Sequence, residues 1–100
     1  MANFRIMPYS KTREAEADLV EIYKFGFLTF GLRQADRYHD GLEYVFELIA
    51  DNPRLGRKIG GSDTHRQFHH GRHIIVYSAE DESVLIERVF HDAMDIDRYL

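Results

Sequence analysis

Six histidines in one hundred residues are the first candidates for chemistry, because an imidazole can move protons or bind metal near neutral pH. His65, His69 and His73 fall on alternate positions, with His70 beside them, so an unbroken strand would place three imidazoles on one face. Zinc requires three or four ligands converging at about 2.0 to 2.3 Å, and the chain has neither cysteine nor a helical His-x3-His pair. Gly71 also interrupts the alternation, so this spacing favours exposed or partner-facing histidines over a metal site. His91, near Arg88 and Tyr99, has the composition of an acid/base pair with a phosphate-steadying cation, although a strand-end histidine satisfied by a backbone carbonyl is the favoured reading. Glu43 and Glu47 stand one helical turn apart, a spacing common on solvated faces. No glycine-rich phosphate loop, nucleophile elbow or HExxH pattern is present.

These residues depend on a small scaffold. A chain of 100 residues is expected to form a single domain, spanning 1–100, that buries roughly 60 to 70% of its unfolded surface. With 44% hydrophobic and 30% charged residues, it has an ordinary globular composition. No apolar run approaches the about 18 residues of a membrane span, and no secretory leader pattern is visible. Absence of cysteine fits a reducing compartment, so the cytoplasm is expected. The net charge of −4 sums three unlike segments: −3 over residues 1–52, +4 over 53–75 and −5 over 76–100. A protein that grips a phosphate backbone usually carries a dominant positive field, and this one does not.

The elements follow from periodicity. Asn3 to Tyr9 alternates as a short strand confined to an edge or end by Pro8. Ser10 or Thr12 can cap a helix from about Thr12 to Phe30, whose acidic start suits the helix dipole. Its apolar stripe is Ala15, Leu19, Ile22, Tyr23, Phe27 and Phe30. After Gly31 a second helix starts near Leu32, carries Tyr38, Leu42, Val45, Phe46 and Ile49 on one side, and stops at Asn52-Pro53. Pro53 to Thr64 reads as a loop, followed by strands at His65 to His69, His73 to Ala79 and Ser83 to His91, the last two joined at Glu80-Asp81-Glu82. Straight alternation in the last strand puts Val84, Ile86 and Phe90 on one side and Leu85 and Val89 on the other. Both faces are then apolar, so something besides the helices must cover one of them: the tail, with Met94, Ile96 and Leu100, or a partner chain. The expected class is α+β: an N-terminal strand and an antiparallel helical hairpin packed on one face of a mostly antiparallel sheet whose other strands are C-terminal.

The element order and the C-terminal residues together resemble the ParE branch of the RelE/ParE toxins of bacterial type II toxin–antitoxin pairs. The likeness is carried by Arg66, Phe68, Gly71, His73, Ile75 and Tyr77, then by Arg88, Phe90, His91, Met94 and Asp95. Asp18, Leu19 and Ile22 in the first helix, Gly31, Ala35, Tyr38, and Asn52-Pro53 with Gly56 extend it over nearly the whole chain. His65, Arg72 and Phe90 depart from the residues usual at their positions in that branch.

This resemblance implies a non-enzymatic toxin, without cofactor or metal, that poisons DNA gyrase and is neutralised by a ParD-like antitoxin in a hetero-oligomeric complex. Neither direct nucleic-acid binding by the toxin alone nor membrane association is expected. Antitoxin contact is expected at Tyr23, Phe27, Phe30, Phe68 and Tyr77, and target contact at Arg88, His91, Met94, Asp95 and Arg98. The sister branch supplies the alternative, a RelE-like ribosome-dependent mRNA endoribonuclease, whose catalytic groups would come from His91, Arg66, Arg72 and Glu47. The net charge and the Met94-Asp95 ending favour the gyrase poison. An inactive antitoxin-binding relic is the third reading.

Overall fold

The computed structural model describes residues 9–81 and 83–92. Two helices lie on a five-stranded mixed sheet in the order β1-β5-β4-β3-β2. The strands are β1 (Tyr9–Lys11), β2 (Arg57–Lys58), β3 (His65–His70), β4 (His73–Glu80) and β5 (Ser83–His91); the helices are α1 (Arg13–Phe30) and α2 (Leu32–Asp51). β1 runs parallel to β5, and the other pairings are antiparallel. The α+β class and the N-terminal strand thus agree with the sequence reading, although only Tyr9 of the expected Asn3 to Tyr9 lies within the described residues.

Local chemistry sets the junctions. Thr12 caps α1: its hydroxyl accepts the Ala15 N–H at 2.9 Å and donates to the Glu87 carbonyl at 2.8 Å, so one side chain starts the helix and ties it to β5. Gly31 turns the chain between the helices at φ 96°, in the region that favours glycine. The β3–β4 hairpin turns on Gly71 at φ 58°, with Gly71 and Arg72 as its two loop residues.

The main core lies between helices and sheet. Leu42, Val45, Phe46 and Ile49 of α2 and Ala15 and Leu19 of α1 meet Ile75, Tyr77, Val84, Ile86 and Val89. A second cluster groups Ile59, Ile74, Val76 and Phe90. Two expectations are corrected here. The stretch from Pro53 to Thr64 is not loop throughout, because Arg57–Lys58 forms a two-residue strand on β3. The final strand does not alternate straight through, because Ile86 pairs with Tyr77 while Arg88 pairs with Val76. The irregularity at Glu87 turns the strand by one residue, which sends Val89 to the helix side and Phe90 to the other.

Beyond Leu19 no residue of α1 is fully buried. Phe25, Leu28, Phe30 and Leu32 at the hairpin tip are 66, 79, 62 and 56% exposed, so the stripe expected to face the core does so only over its first half.

Candidate functional site

An apolar groove of about 710 Å³ lies between the outer half of the helical hairpin and the end of the sheet. Its floor is built from Leu19, Ile22, Ala35, Leu42 and Val89. Gly26 faces Ala35, where an added Cβ would sit 3.6 Å from the Ala35 Cβ, so small residues let the two helices close over the floor. Exposed Phe25 and Phe30 and half-buried Tyr23 form the lip. Tyr23 is held on the rim by a 2.6 Å hydrogen bond to Asp36 and an edge-on contact with His39, and the carboxylate bond pushes its phenol pKa up.

The polar end of the groove is organised around Tyr38. Its hydroxyl donates to the His70 carbonyl at 3.1 Å, accepts the Arg72 N–H at 3.3 Å and contacts His73 Nδ1 at 2.6 Å. One side chain of α2 therefore holds the whole β3–β4 turn. Gly71 leaves room for it, since a Cβ there would come within 2.6 Å of the Tyr38 hydroxyl. Burial raises the Tyr38 pKa. His73 lies beside it with its pKa lowered, first by burial and then by the neighbouring His91, whose ring is edge-on at 5.7 Å. Asp92 opposes that shift and lies 3.3 Å from His91 Nδ1 and 3.6 Å from Arg72 Nε.

Asp18 closes the outer edge of β5 where β1 stops. It accepts from Arg88 Nε and a terminal guanidinium nitrogen at 2.9 and 3.0 Å and from the Val89 N–H at 2.9 Å. A helix side chain thus takes the place of a neighbouring strand. At the base of α2, Glu43 accepts from Tyr9 at 2.9 Å and Lys11 at 3.0 Å. Burial together with Glu43 pushes the Tyr9 pKa up to about 12.

The residues expected to contact an antitoxin separate into two groups. Tyr23 and Phe30 line the groove, and Phe27 is exposed on the same helix. Phe68 is partly buried against the core, and Tyr77 is fully buried, with its hydroxyl donating to the Pro53 carbonyl and accepting the Gly56 N–H, each at 2.8 Å. Tyr77 offers the surface nothing; it anchors the chain as it leaves α2. Of the residues expected to contact a target, His91 sits on the groove rim, while Arg88 pairs with Asp18 and lies over the Phe90 ring at 4.5 Å. Met94, Asp95 and Arg98, like Tyr99, fall outside the described residues.

The four groups named for a nuclease do not converge. Arg72 and His91 share the groove end, but Arg66 donates to the Gly56 carbonyl at 2.7 Å and pairs with Tyr77. Tyr77 is four residues, or about 13 Å, along β4 from His73, the partner of His91. Glu47 is exposed on α2, away from the groove lining. The expected one-face row of His65, His69 and His73 does not form a site: His65 bonds Thr64 and Glu87 and His69 is exposed, while His70 and His73 both pack on Tyr38. Among the described residues no group of three or more His, Asp or Glu side chains is placed to hold a metal ion.

Sequence reasoning missed Tyr38 as the keystone of the turn and Asp18 as the edge cap. The available signal was the pairing of a helix tyrosine with a Gly-containing hairpin, which only tertiary contact makes specific.

Residues 9–96 match the sequence profile described as the ParE toxin of the type II toxin–antitoxin system, parDE. The chain is 32% identical over 94 residues to Toxin ParE1 of Mycobacterium tuberculosis H37Rv, covering 92% of this chain and 96% of that one. It is 31% identical over 94 residues to Toxin ParE1 of Caulobacter vibrioides, covering 93 and 97%. Among solved structures, a chain of the chromosomal ParDE system from P. aeruginosa superposes with a TM-score of 0.72 at 16% identity, covering 88% of this chain and 98% of that one.

Proposed function

Because this chain belongs to the ParE toxin family of type II toxin–antitoxin systems, we propose that it acts in the cytoplasm by binding and poisoning DNA gyrase, and that a ParD-like antitoxin neutralises it by filling the groove between α1, α2 and the sheet end. The observation that carries the antitoxin half is the groove itself: about 710 Å³, apolar in its floor and lip, and bordered by aromatic side chains left exposed by the fold. An exposed apolar surface of this kind marks an interaction site, and a segment that orders on binding can cover it. No helix is long and apolar enough to cross a membrane among the described residues.

The gyrase half rests on family membership and on the separation of Arg66 and Glu47 from His91, which leaves a 2′-hydroxyl without a base, an acid and a phosphate clamp around one point. A toxin of this design works by what it binds. It stabilises the enzyme's cleaved-DNA state and thereby blocks replication.

Purified gyrase incubated with the toxin, with a ribosome-programmed mRNA as control, tests the reading. Accumulated double-strand breaks with intact mRNA are expected, and they are expected to disappear on addition of the antitoxin. Cleaved mRNA with unaffected gyrase would replace this reading with the nuclease one. Activity in neither assay, with antitoxin binding retained, would make the chain a relic that only binds.

A further inference from the structure

The groove is chemically lopsided. Among the described residues lining it, α1 contributes two acids, Asp18 and Glu21, whereas the sheet end contributes the one arginine, Arg72, on the rim shared by His39, His73 and His91. Asp18 is already engaged by Arg88 and the Val89 N–H. Arg72 is held differently: its side chain is 76% exposed, and its contact with Asp92 is 3.6 Å from Nε, against 2.9 Å for the Arg88–Asp18 pair. A guanidinium carries five N–H donors in a planar fork, so a side-on carboxylate at Nε leaves its far edge able to receive a second one.

From this asymmetry we propose that the antitoxin segment filling the groove carries an Asp or Glu side chain that docks on Arg72 and the adjoining imidazoles, and that this contact sets the direction in which the segment lies. The proposal rests on the groove being the antitoxin site. Apolar burial on the floor supplies affinity without direction, because the hydrophobic effect is non-directional. A single cationic end supplies the missing information, since complementary charge selects register and orientation more than it adds affinity. The turn that presents Arg72 is rigid, clamped by Tyr38 through both the His70 carbonyl and the Arg72 N–H, so the receiving group is positioned before the partner arrives.

The contact is also pH-sensitive in a definite sense. The titratable and charged groups around the His73 and His91 end of the groove are Tyr38 and His39 from α2, His70 from β3, Arg72 from the β3–β4 turn, Asp92 beyond β5, and Asp18 and Glu21 from α1. Within that set a docked carboxylate adds negative charge next to the His73 ring, favouring its protonated form. Binding of the antitoxin therefore tightens as pH falls from about 8 to about 6, a range in which the carboxylate stays ionised.

The test measures affinity of the full-length toxin for its cognate antitoxin by calorimetric titration, at about 50 mM and about 500 mM salt. Arg72→Gln is expected to weaken binding about tenfold at low salt and to remove most of the salt dependence, with Arg72→Lys intermediate and Arg57→Gln, exposed on β2, unchanged. One Asp or Glu of the antitoxin, converted to its amide, is expected to reproduce the loss and to add nothing in combination with Arg72→Gln. Unchanged affinity for Arg72→Gln, together with weakened binding by Phe30→Glu on the lip, would overturn the carboxylate contact and leave the groove as the antitoxin site. Indifference to both substitutions would overturn the groove reading and this proposal with it. Self-association of the toxin abolished by Phe30→Glu, with antitoxin binding unaffected, would assign the groove to a second copy and do the same.

Discussion

Replacing Tyr77 by Phe removes a single oxygen, and its cost follows from what that oxygen holds. The Tyr77 hydroxyl accepts the Gly56 N–H and donates to the Pro53 carbonyl, both at 2.8 Å, and the residue is 0% exposed. Each hydrogen bond contributes about 1 kcal/mol net, and leaving a buried N–H unpaired adds about 1 kcal/mol or more. Gly56 cannot shift to find another partner easily. A Cβ built on it would already meet the Gln67 carbonyl at 2.5 Å, and Arg66 holds the Gly56 carbonyl from the other side at 2.7 Å. The Pro53 carbonyl is half-buried and recovers some hydration, so the total settles at about 2–3 kcal/mol. For a domain of this size that lowers Tm by about 10–20 °C. Thermal and urea unfolding of the isolated toxin measure the loss, and titration with antitoxin below the transition measures affinity. Affinity is expected to stay within about twofold, because a fully buried ring presents no atom to a partner. A stability change under about 0.5 kcal/mol would refute the anchoring argument. An affinity loss beyond about tenfold at unchanged stability would return Tyr77 to the antitoxin interface.

Asp18→Asn keeps the shape but leaves one former acceptor facing Arg88 as an amide, and a loss of about 1–3 kcal/mol is expected, with faster amide exchange at Val89 as the local readout. Gly71→Ala meets Tyr38 at 2.6 Å and starts from φ 58°, so it should cost about 2 kcal/mol or more in chemical denaturation, a penalty that Arg72→Ala beside it does not share. His73, whose folded pKa lies below the ordinary 6.5, contributes stability that is complete above 6.5 and is lost as pH falls through the folded value. Tm recorded from about pH 7.5 to about pH 5 should fall less for His73→Asn than for the parent, in which an imidazole buried beside Tyr38 and His91 must charge. Glu43 acts in the same direction further into acid. Burial raises its pKa, but the Lys11 and Tyr9 donors outweigh that and leave it below 4.5, so Glu43→Gln should flatten the acid limb below that pH.

Periodicity and caps were enough to read the helices, because α2 meets the sheet along an uninterrupted stripe and Thr12 and Gly31 supply start and stop chemistry. The last strand departs from straight alternation at one residue. Nothing in Glu87-Arg88 announces that pairing passes from Ile86 directly to Arg88, and a one-residue slip exchanges the faces of Val89 and Phe90. The expected core stripe of α1 failed for a different reason. Tyr23, Phe27 and Phe30 have the right spacing, but spacing cannot distinguish a side chain that meets a sheet from one left standing over a groove. Of the groove, sequence made Tyr23 and Phe30 legible as apolar contacts, whereas the gathering of Tyr38, Arg72, His73 and His91 needed α2 to land on the β3–β4 turn.

The same landing keeps the groove apolar along its floor and its cations apart. Arg66 and Arg72 stand on opposite flanks of the short β3, Arg66 turned to the loop after α2 and Arg72 to the groove. Tyr77 and Tyr38 do parallel work at these two places, each using its hydroxyl to fix backbone that leaves or enters the sheet. Such a scaffold keeps two cations apart and rigid, which opposes convergence on one scissile phosphate but suits separate contacts along an extended partner. The exposed tip of the hairpin then follows from the packing. α1 spends Ala15 and Leu19 on the core and leaves Phe25, Leu28 and Phe30 outside it, an arrangement that costs solubility in isolation and is stable in a complex that covers them.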